Sequence, residues 1–203
     1  MRRFAPLIAL CGLLSPAPLK AQWRFGLELG VEQVGRFIRS TQAEAGAGPD
    51  GRPTQGWPLA LRLERGGGGL RLGLTVARTT PGLELFGSEL TVAIRPGFEV
   101  LTVAPELSGR LARLRGGGQL RAGLALPLER WSFPTFADPP RWRAGASMGI
   151  SAEFPLTGRL AGRIAASLGT VFRHPLKGTD VTDGYETTAL WRRSLRIGVQ
   201  WRP

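Results

Sequence analysis

Trp23-Arg24-Phe25-Gly26-Leu27-Glu28-Leu29-Gly30-Val31-Glu32 alternates without a break. Its odd-numbered residues are all apolar: Trp23, Phe25, Leu27, Leu29 and Val31. Its even-numbered residues are charged or lack a side chain: Arg24, Gly26, Glu28, Gly30 and Glu32. In a β-strand successive side chains point to opposite faces, so this segment forms a ribbon with one greasy face and one polar face. A helix of the same sequence would scatter both sets around its circumference. The stretch therefore reads as a strand, and an all-β chain follows if the pattern recurs.

It recurs seven times. Leu59, Leu61 and Leu63 oppose Ala60, Arg62 and Glu64 within 57–64, and Leu70, Leu72, Leu74 and Val76 oppose Arg71, Gly73, Thr75 and Ala77. Segments 101–111, 120–129, 141–154, 160–173 and 195–201 repeat the alternation. Between them, Gly66 to Gly69, Arg115 to Gln119 and Pro155 to Arg159 are short connections, whereas 38–56, 79–97, 132–140 and 174–186 are longer. Short turns at one end and long loops at the other are the rhythm of an antiparallel up-and-down barrel that crosses a membrane with strands of about ten residues. Residues 82–97 contain two further strand-like pieces, Leu83 to Phe86 and Leu90 to Ile94, before Pro96-Gly97. As a hairpin rising from the second long loop they leave eight crossings; as crossings themselves they make ten. Pro105 and Pro127 fall inside expected strands, where a missing N–H interrupts the ladder and a bulge is expected.

The polar faces define an interior. They carry Arg24, Glu28, Glu32, Arg62, Glu64, Glu106, Arg110, Arg121, Glu129, Arg143, Glu153, Arg163 and Arg196. An eight-stranded barrel is only wide enough for side chains to fill it, so these groups should pair across the bore as a polar plug rather than line an open pore. A narrow solute path is the alternative use of the same residues. Tryptophans mark the ends of the apolar faces: Trp23 and Trp201 at the short-turn end, Trp57, Trp142 and Trp191 toward the long loops. This is the placement of an aromatic girdle at a lipid–water boundary. Trp131 has the opposite parity and falls on the polar face.

Met1-Arg2-Arg3, an apolar stretch from Phe4 to Leu14 and Leu19-Lys20-Ala21 have the layout of a secretory signal peptide, residues 1–21, with cleavage expected before Gln22. That stretch is too short to span a bilayer as a helix. The single cysteine, Cys11, lies inside it behind the large Leu10, which does not suit lipidation, and leaves residues 22–203 without a disulfide or thiolate site. The formal charge of the whole chain is +12, but the basic residues are spread along the strands rather than clustered, which argues against nucleic acid. Only Lys20 and Lys177 are lysines. Arginine keeps its charge in poorly solvated places and forms forked pairs with carboxylates, as a crowded barrel interior requires.

The signal peptide, the eight alternating segments and the closing Leu195-Arg196-Ile197-Gly198-Val199-Gln200-Trp201 resemble small outer-membrane β-barrels of the OmpA/OmpW-like class, over residues 22–203. The resemblance implies a bacterial outer-membrane location and contact with outer-membrane lipid and lipopolysaccharide. It also implies recognition by the barrel-assembly machinery through Leu195, Ile197, Val199 and Trp201, although Arg202 and Pro203 follow that aromatic end here. It covers a barrel domain alone, without a peptidoglycan-binding domain.

Small barrels of this kind include lipid-modifying enzymes that use a histidine with a serine or carboxylate, and His174 is the one histidine that could serve as such a base. It precedes Pro175 in an expected loop, with Ser167 on the preceding strand and Asp180 and Asp183 farther along, and shows no tight catalytic spacing. Asp180, Asp183 and Glu186 lack the regular acid pattern of a calcium loop. The glycines at 66–69 and 116–118 are not followed by Lys-Ser/Thr and join strands, so they are turns rather than phosphate cradles. The expectation is a non-enzymatic barrel with no cofactor or metal, no nucleic-acid partner, and a surface ligand that the loops do not encode recognisably.

Overall fold

The computed structural model describes residues 22–35, 38–40, 50–67, 69–86, 91–94, 97–133, 139–174, 185–187 and 189–203. The expected signal peptide at 1–21 lies outside the described residues, as do Asp180 and Asp183. In chain order the strands are β1 (Gln22–Val34), β2 (Ile38–Ser40), β3 (Asp50–Pro53), β4 (Leu59–Gly66), β5 (Leu70–Thr79), β6 (Leu83–Phe86) and β7 (Thr91–Ile94). They continue with β8 (Glu99–Arg113), β9 (Gln119–Ala125), β10 (Leu128–Ser132), β11 (Arg141–Pro155), β12 (Leu160–Val171), β13 (Tyr185–Thr187) and β14 (Trp191–Trp201).

Eight antiparallel crossings close on themselves. Each of β1, β4, β5 and β8 pairs with the next. β8 then pairs with both β9 and β10, which together form the fifth crossing, and β11, β12 and β14 follow before β14 returns to β1. Closure leaves no edge strand, so every ladder group on the circumference can be satisfied without water, as a lipid surround demands. The side-chain parity seen in the sequence sets the register. Leu27 stands between Val199 and Leu61, with all three facing out, and Glu28 stands between Gly198 and Ala60, all facing in.

Pro127 separates β9 from β10, yet the break costs little pairing: its carbonyl accepts from Gly145 N at 2.8 Å, and Leu126 N donates to the Pro105 carbonyl at 3.1 Å. Parity survives, since Leu126 and Leu128 are both exposed outward while Pro127 and Glu129 are buried. Pro105 needs no bulge; its pairing with Leu74 is in register. The irregularity lies six residues on, between Arg110 and Ala112. In the turn from β8 to β9, Gly116 and Gly117 have φ of 75° and 82°, a left-handed backbone that only glycine adopts without cost.

The strand-like pieces of 82–97 are the hairpin β6–β7, outside the barrel wall, and the chain has eight crossings rather than ten. That hairpin joins β13, β2 and β3 in a separate five-stranded sheet built from three of the long connections. The hairpin at 82–97 is as expected, whereas the connections at 38–56 and 174–186, expected as loops, are partly strand as well. The last crossing also starts earlier than its clearest alternation, at Trp191 rather than Leu195.

Outward-facing leucines, isoleucines and valines form a continuous apolar belt. Leu29, Leu61, Leu124, Met148, Ile150, Leu168 and Ile197 are each more than half exposed. Inside, the charged side chains are the buried ones, an inversion of the soluble-protein rule that lysine, glutamate and arginine stay outside.

Candidate functional site: the polar lumen

Each crossing sends every second side chain inward, and small residues decide how much room is left. Glycines and alanines alternate with the charged residues, so long arginines can reach across. Gly73 lies against the Glu64 and Arg62 side chains, and a Cβ at Gly30 would fall 2.9 Å from Arg196 Cγ.

The lumen is organised in tiers. Nearest the short turns, Glu153 on β11 accepts from Arg71 on β5 at 2.6 Å and from Arg24 on β1 at 3.2 Å, joining three crossings. Arg71 also reaches Glu64 at 3.3 Å and Gln119 at 3.1 Å. Arg62 forms a fork. It donates to Glu64 Oε1 through Nε at 2.8 Å, to both oxygens of Glu106 at 2.6 and 2.7 Å, and to the Thr75 hydroxyl at 3.1 Å. Arg121 bonds no carboxylate; it donates to the Ser108 and Gly69 carbonyls at 2.9 and 3.1 Å, bracing the turn between β4 and β5. Gln200 leans on Glu64 at 3.5 Å. These bidentate, charge-assisted bonds are the strong class, and they satisfy groups whose burial would otherwise be costly.

Farther along, Arg163 on β12 pairs with Glu28 on β1. Arg192 on β14 bridges two glutamates, taking both oxygens of Glu32 at 2.6 and 2.7 Å and one oxygen of Glu129 on β10. Glu129 also accepts from the Trp131 indole N–H at 3.0 Å.

Beyond this tier the lumen turns apolar. Trp131 is fully buried and stacks on Phe98, with centroids 5.5 Å apart and planes 19° from parallel. Phe133, Val34, Leu83, Val100, Val171 and Leu190 complete a buried cluster at the long-loop end. Arg192 lies over the Trp131 ring at 5.9 Å and so ties the aromatic cluster to the charged tiers.

Of the thirteen interior residues read from the sequence, Arg24, Glu28, Glu32, Arg62, Glu64, Glu106, Glu129, Glu153 and Arg163 are brought together as ion pairs. Arg121 serves backbone carbonyls instead. Arg143, at the long-loop end, donates to the His174 carbonyl at 3.2 Å and the Trp142 carbonyl at 3.0 Å. Arg110 is half-buried beside the ladder irregularity, and Arg196 faces a cavity between the tiers. Two hubs were missing from that set, Arg71 and Arg192. Arg71 shares the parity of Gly73 and Thr75, which would have placed it. Arg192 was hidden because Arg193 follows it, putting arginine on both faces.

Trp23, Trp57, Trp142, Trp191 and Trp201 are all exposed outward, between 40% and 71%. Leu195, Ile197, Val199 and Trp201 also face out. His174 is buried at the end of β12, while the Ser167 hydroxyl is engaged with Ser194 at 2.7 Å. Among the described residues no cluster of three or more His, Cys, Asp or Glu could hold a metal.

No protein-family model and no curated protein matches the chain. Solved structures do. The chain superimposes on Neisserial surface protein A with a TM-score of 0.55 at 9% identity, covering 88% of this chain and 97% of that one. It superimposes on the outer membrane protein OprG of Pseudomonas aeruginosa with a TM-score of 0.53 at 11% identity, covering 90% and 96%. The fold is that of small outer-membrane β-barrels.

Proposed function

We propose that the chain is an integral outer-membrane barrel with a structural or surface-binding role, exported with a cleaved signal peptide, its long loops facing outward. The observation that carries this reading is the unbroken outward apolar belt between two tiers of tryptophan. Trp23 and Trp201 stand at one end, and Trp57, Trp142 and Trp191 toward the other. A water-soluble barrel would bury such residues; a bilayer solvates them.

Lipopolysaccharide is the proposed neighbour at the long-loop end. Arg78 and Arg130 both pair in register with Leu101 from its two sides and share its outward face, so their strands lie about 10 Å apart at the usual spacing. Arg78 is largely exposed and pairs with Glu99 at 2.9 Å, and Arg193 lies over Trp191 at 5.5 Å. Cations among interfacial tryptophans suit phosphorylated lipid headgroups. During biogenesis the outward row Leu195, Ile197, Val199 and Trp201 would be offered to the assembly machinery. The paired charges that cross the lumen on either side of the cavity support a non-conducting role.

Fractionation tests the reading. The protein should be recovered from outer membranes, begin at Gln22, and migrate differently in gels with and without boiling. Recovery as a soluble periplasmic protein would overturn it.

A further inference from the structure

The exposed charges of the short turns all have one sign. Arg65 closes the outward row of β4, Arg113 and Arg115 stand at the turn from β8 to β9, and Arg159 at the turn from β11 to β12; all four are exposed. Residues 65–70, 113–119, 155–160 and 202–203 contain no aspartate or glutamate. The acids nearest in sequence, Glu64 and Glu153, are buried in the bore and already bonded to arginines. Arg202 N donates to the Arg159 carbonyl at 2.8 Å, which sets the third turn beside the end of β14. The three turns are spread around the order of crossings, so their arginines form a ring rather than a patch on one side.

Every one of these turns also exposes leucine beside its arginine. Leu70, Leu111 and Leu156 are each more than half exposed, and Leu114 lies between Arg113 and Arg115 at 41%. The turns themselves are low and uncovered: a Cβ at Gly67, Gly69, Gly116 or Gly158 would meet nothing within 4 Å. Arg65 fixes the depth of the ring. It pairs in register with Trp23 and lies over the indole at 5.4 Å, at the level of the lower tryptophan tier. Tryptophan in such a tier sits among lipid headgroups, and an arginine there lays its stem on apolar surface while its charge reaches the phosphates.

We propose that the short-turn rim is a second lipid-binding surface, which gathers anionic phospholipid headgroups of the inner, periplasmic leaflet through Arg65, Arg113, Arg115 and Arg159. Charge complementarity selects an anion, and the guanidinium fork suits a phosphodiester. The leucines select a lipid over a water-soluble acidic polymer, and the ring matches an annulus that surrounds the barrel on all sides. The inference rests on the barrel orientation proposed above, with the long loops outward. It concerns the opposite end from Arg78 and Arg130, and a phospholipid in place of lipopolysaccharide.

The test uses the whole mature barrel in phosphatidylcholine vesicles containing a trace of photoreactive lipid. One probe is a phosphatidylglycerol and the other a phosphatidylcholine, each with a diazirine in its headgroup, and labelled peptides are mapped by mass spectrometry. The anionic probe should label 65–70, 111–119 and 155–160 about fivefold more than the zwitterionic one, the preference that one arginine near an anionic surface supplies. Raising the salt should collapse that preference in the unmodified protein. Combining Arg65→Gln, Arg113→Gln, Arg115→Gln and Arg159→Gln should abolish it, whereas Arg78→Gln with Arg130→Gln at the far end should leave it intact. Heat-modifiable migration identifies the folded barrel in every sample, so a failure to insert counts against the barrel reading itself. Equal labelling by the two probes in the folded, unmodified barrel would overturn the proposal. If that result came with binding to purified peptidoglycan that the fourfold variant loses, the rim would belong to the wall polymer instead.

Discussion

Arg71 and Glu153 start from crossings separated by three strand positions around the wall and meet in the bore at 2.6 Å, both almost wholly buried. The same carboxylate holds Arg24 from a third crossing. One glutamate therefore ties together β1, β5 and β11, which share no ladder. The interior network braces the cylinder where backbone hydrogen bonds do not reach.

Glu153 should accordingly be the most sensitive of the interior acids. Glu153→Ala removes the carboxylate bonded to Arg24 and leaves Arg71 with only the longer contacts to Gln119 and Glu64. Breaking a buried pair from one side costs about 3–5 kcal/mol, less whatever lumen water recovers. Glu28→Ala, which strands Arg163, should cost somewhat less. Glu99→Ala at the exposed Arg78 pair should cost no more than about 1 kcal/mol. Urea unfolding in lipid vesicles ranks the three, and equal midpoints would show that the lumen pairs contribute nothing to stability.

Two adjacent residues on β12 separate the two faces cleanly. Ile164 points to lipid and is 44% exposed, whereas Ala165 lines the cavity. Ile164→Arg should impair assembly by about 2–4 kcal/mol if it lies near mid-bilayer, as should Leu72→Arg and Val103→Arg. Ala165→Glu should assemble normally. The yield of the heat-modifiable form measures this, and equal tolerance at 164 and 165 would refute the face assignment.

Trp131 tests the apolar end of the lumen. It packs between Phe98 and Phe133 and also bonds Glu129, so Trp131→Ala should cost about 3–5 kcal/mol through lost packing. The near-UV circular dichroism should fall sharply, and the long-loop end should become more sensitive to protease. An unchanged near-UV spectrum would mean that the stack does not persist in solution.

Alternation made the barrel legible. From Trp23 to Glu32 each residue announces its face, and a period of two admits no other element. The interior acids were legible for the same reason, since a glutamate at lumen parity has nowhere else to go. Which arginine meets which glutamate was not legible. Arg71 and Glu153 are 82 residues apart, and only the closed circumference brings them together. The aromatic cluster was hidden differently: Phe98 and Phe133 flank long connections that have no period, so only Trp131, through its wrong parity, hinted at an apolar interior.

The central claim is that these tiers close the bore to ions. Single-channel recording in planar bilayers, with insertion verified by protease protection of the barrel, tests it most directly. The unmodified protein should show no steady conductance, and Glu153→Ala should show at most brief, flickering openings. Large, stable conductance steps from the unmodified protein would contradict the closed lumen and show an open channel in its place.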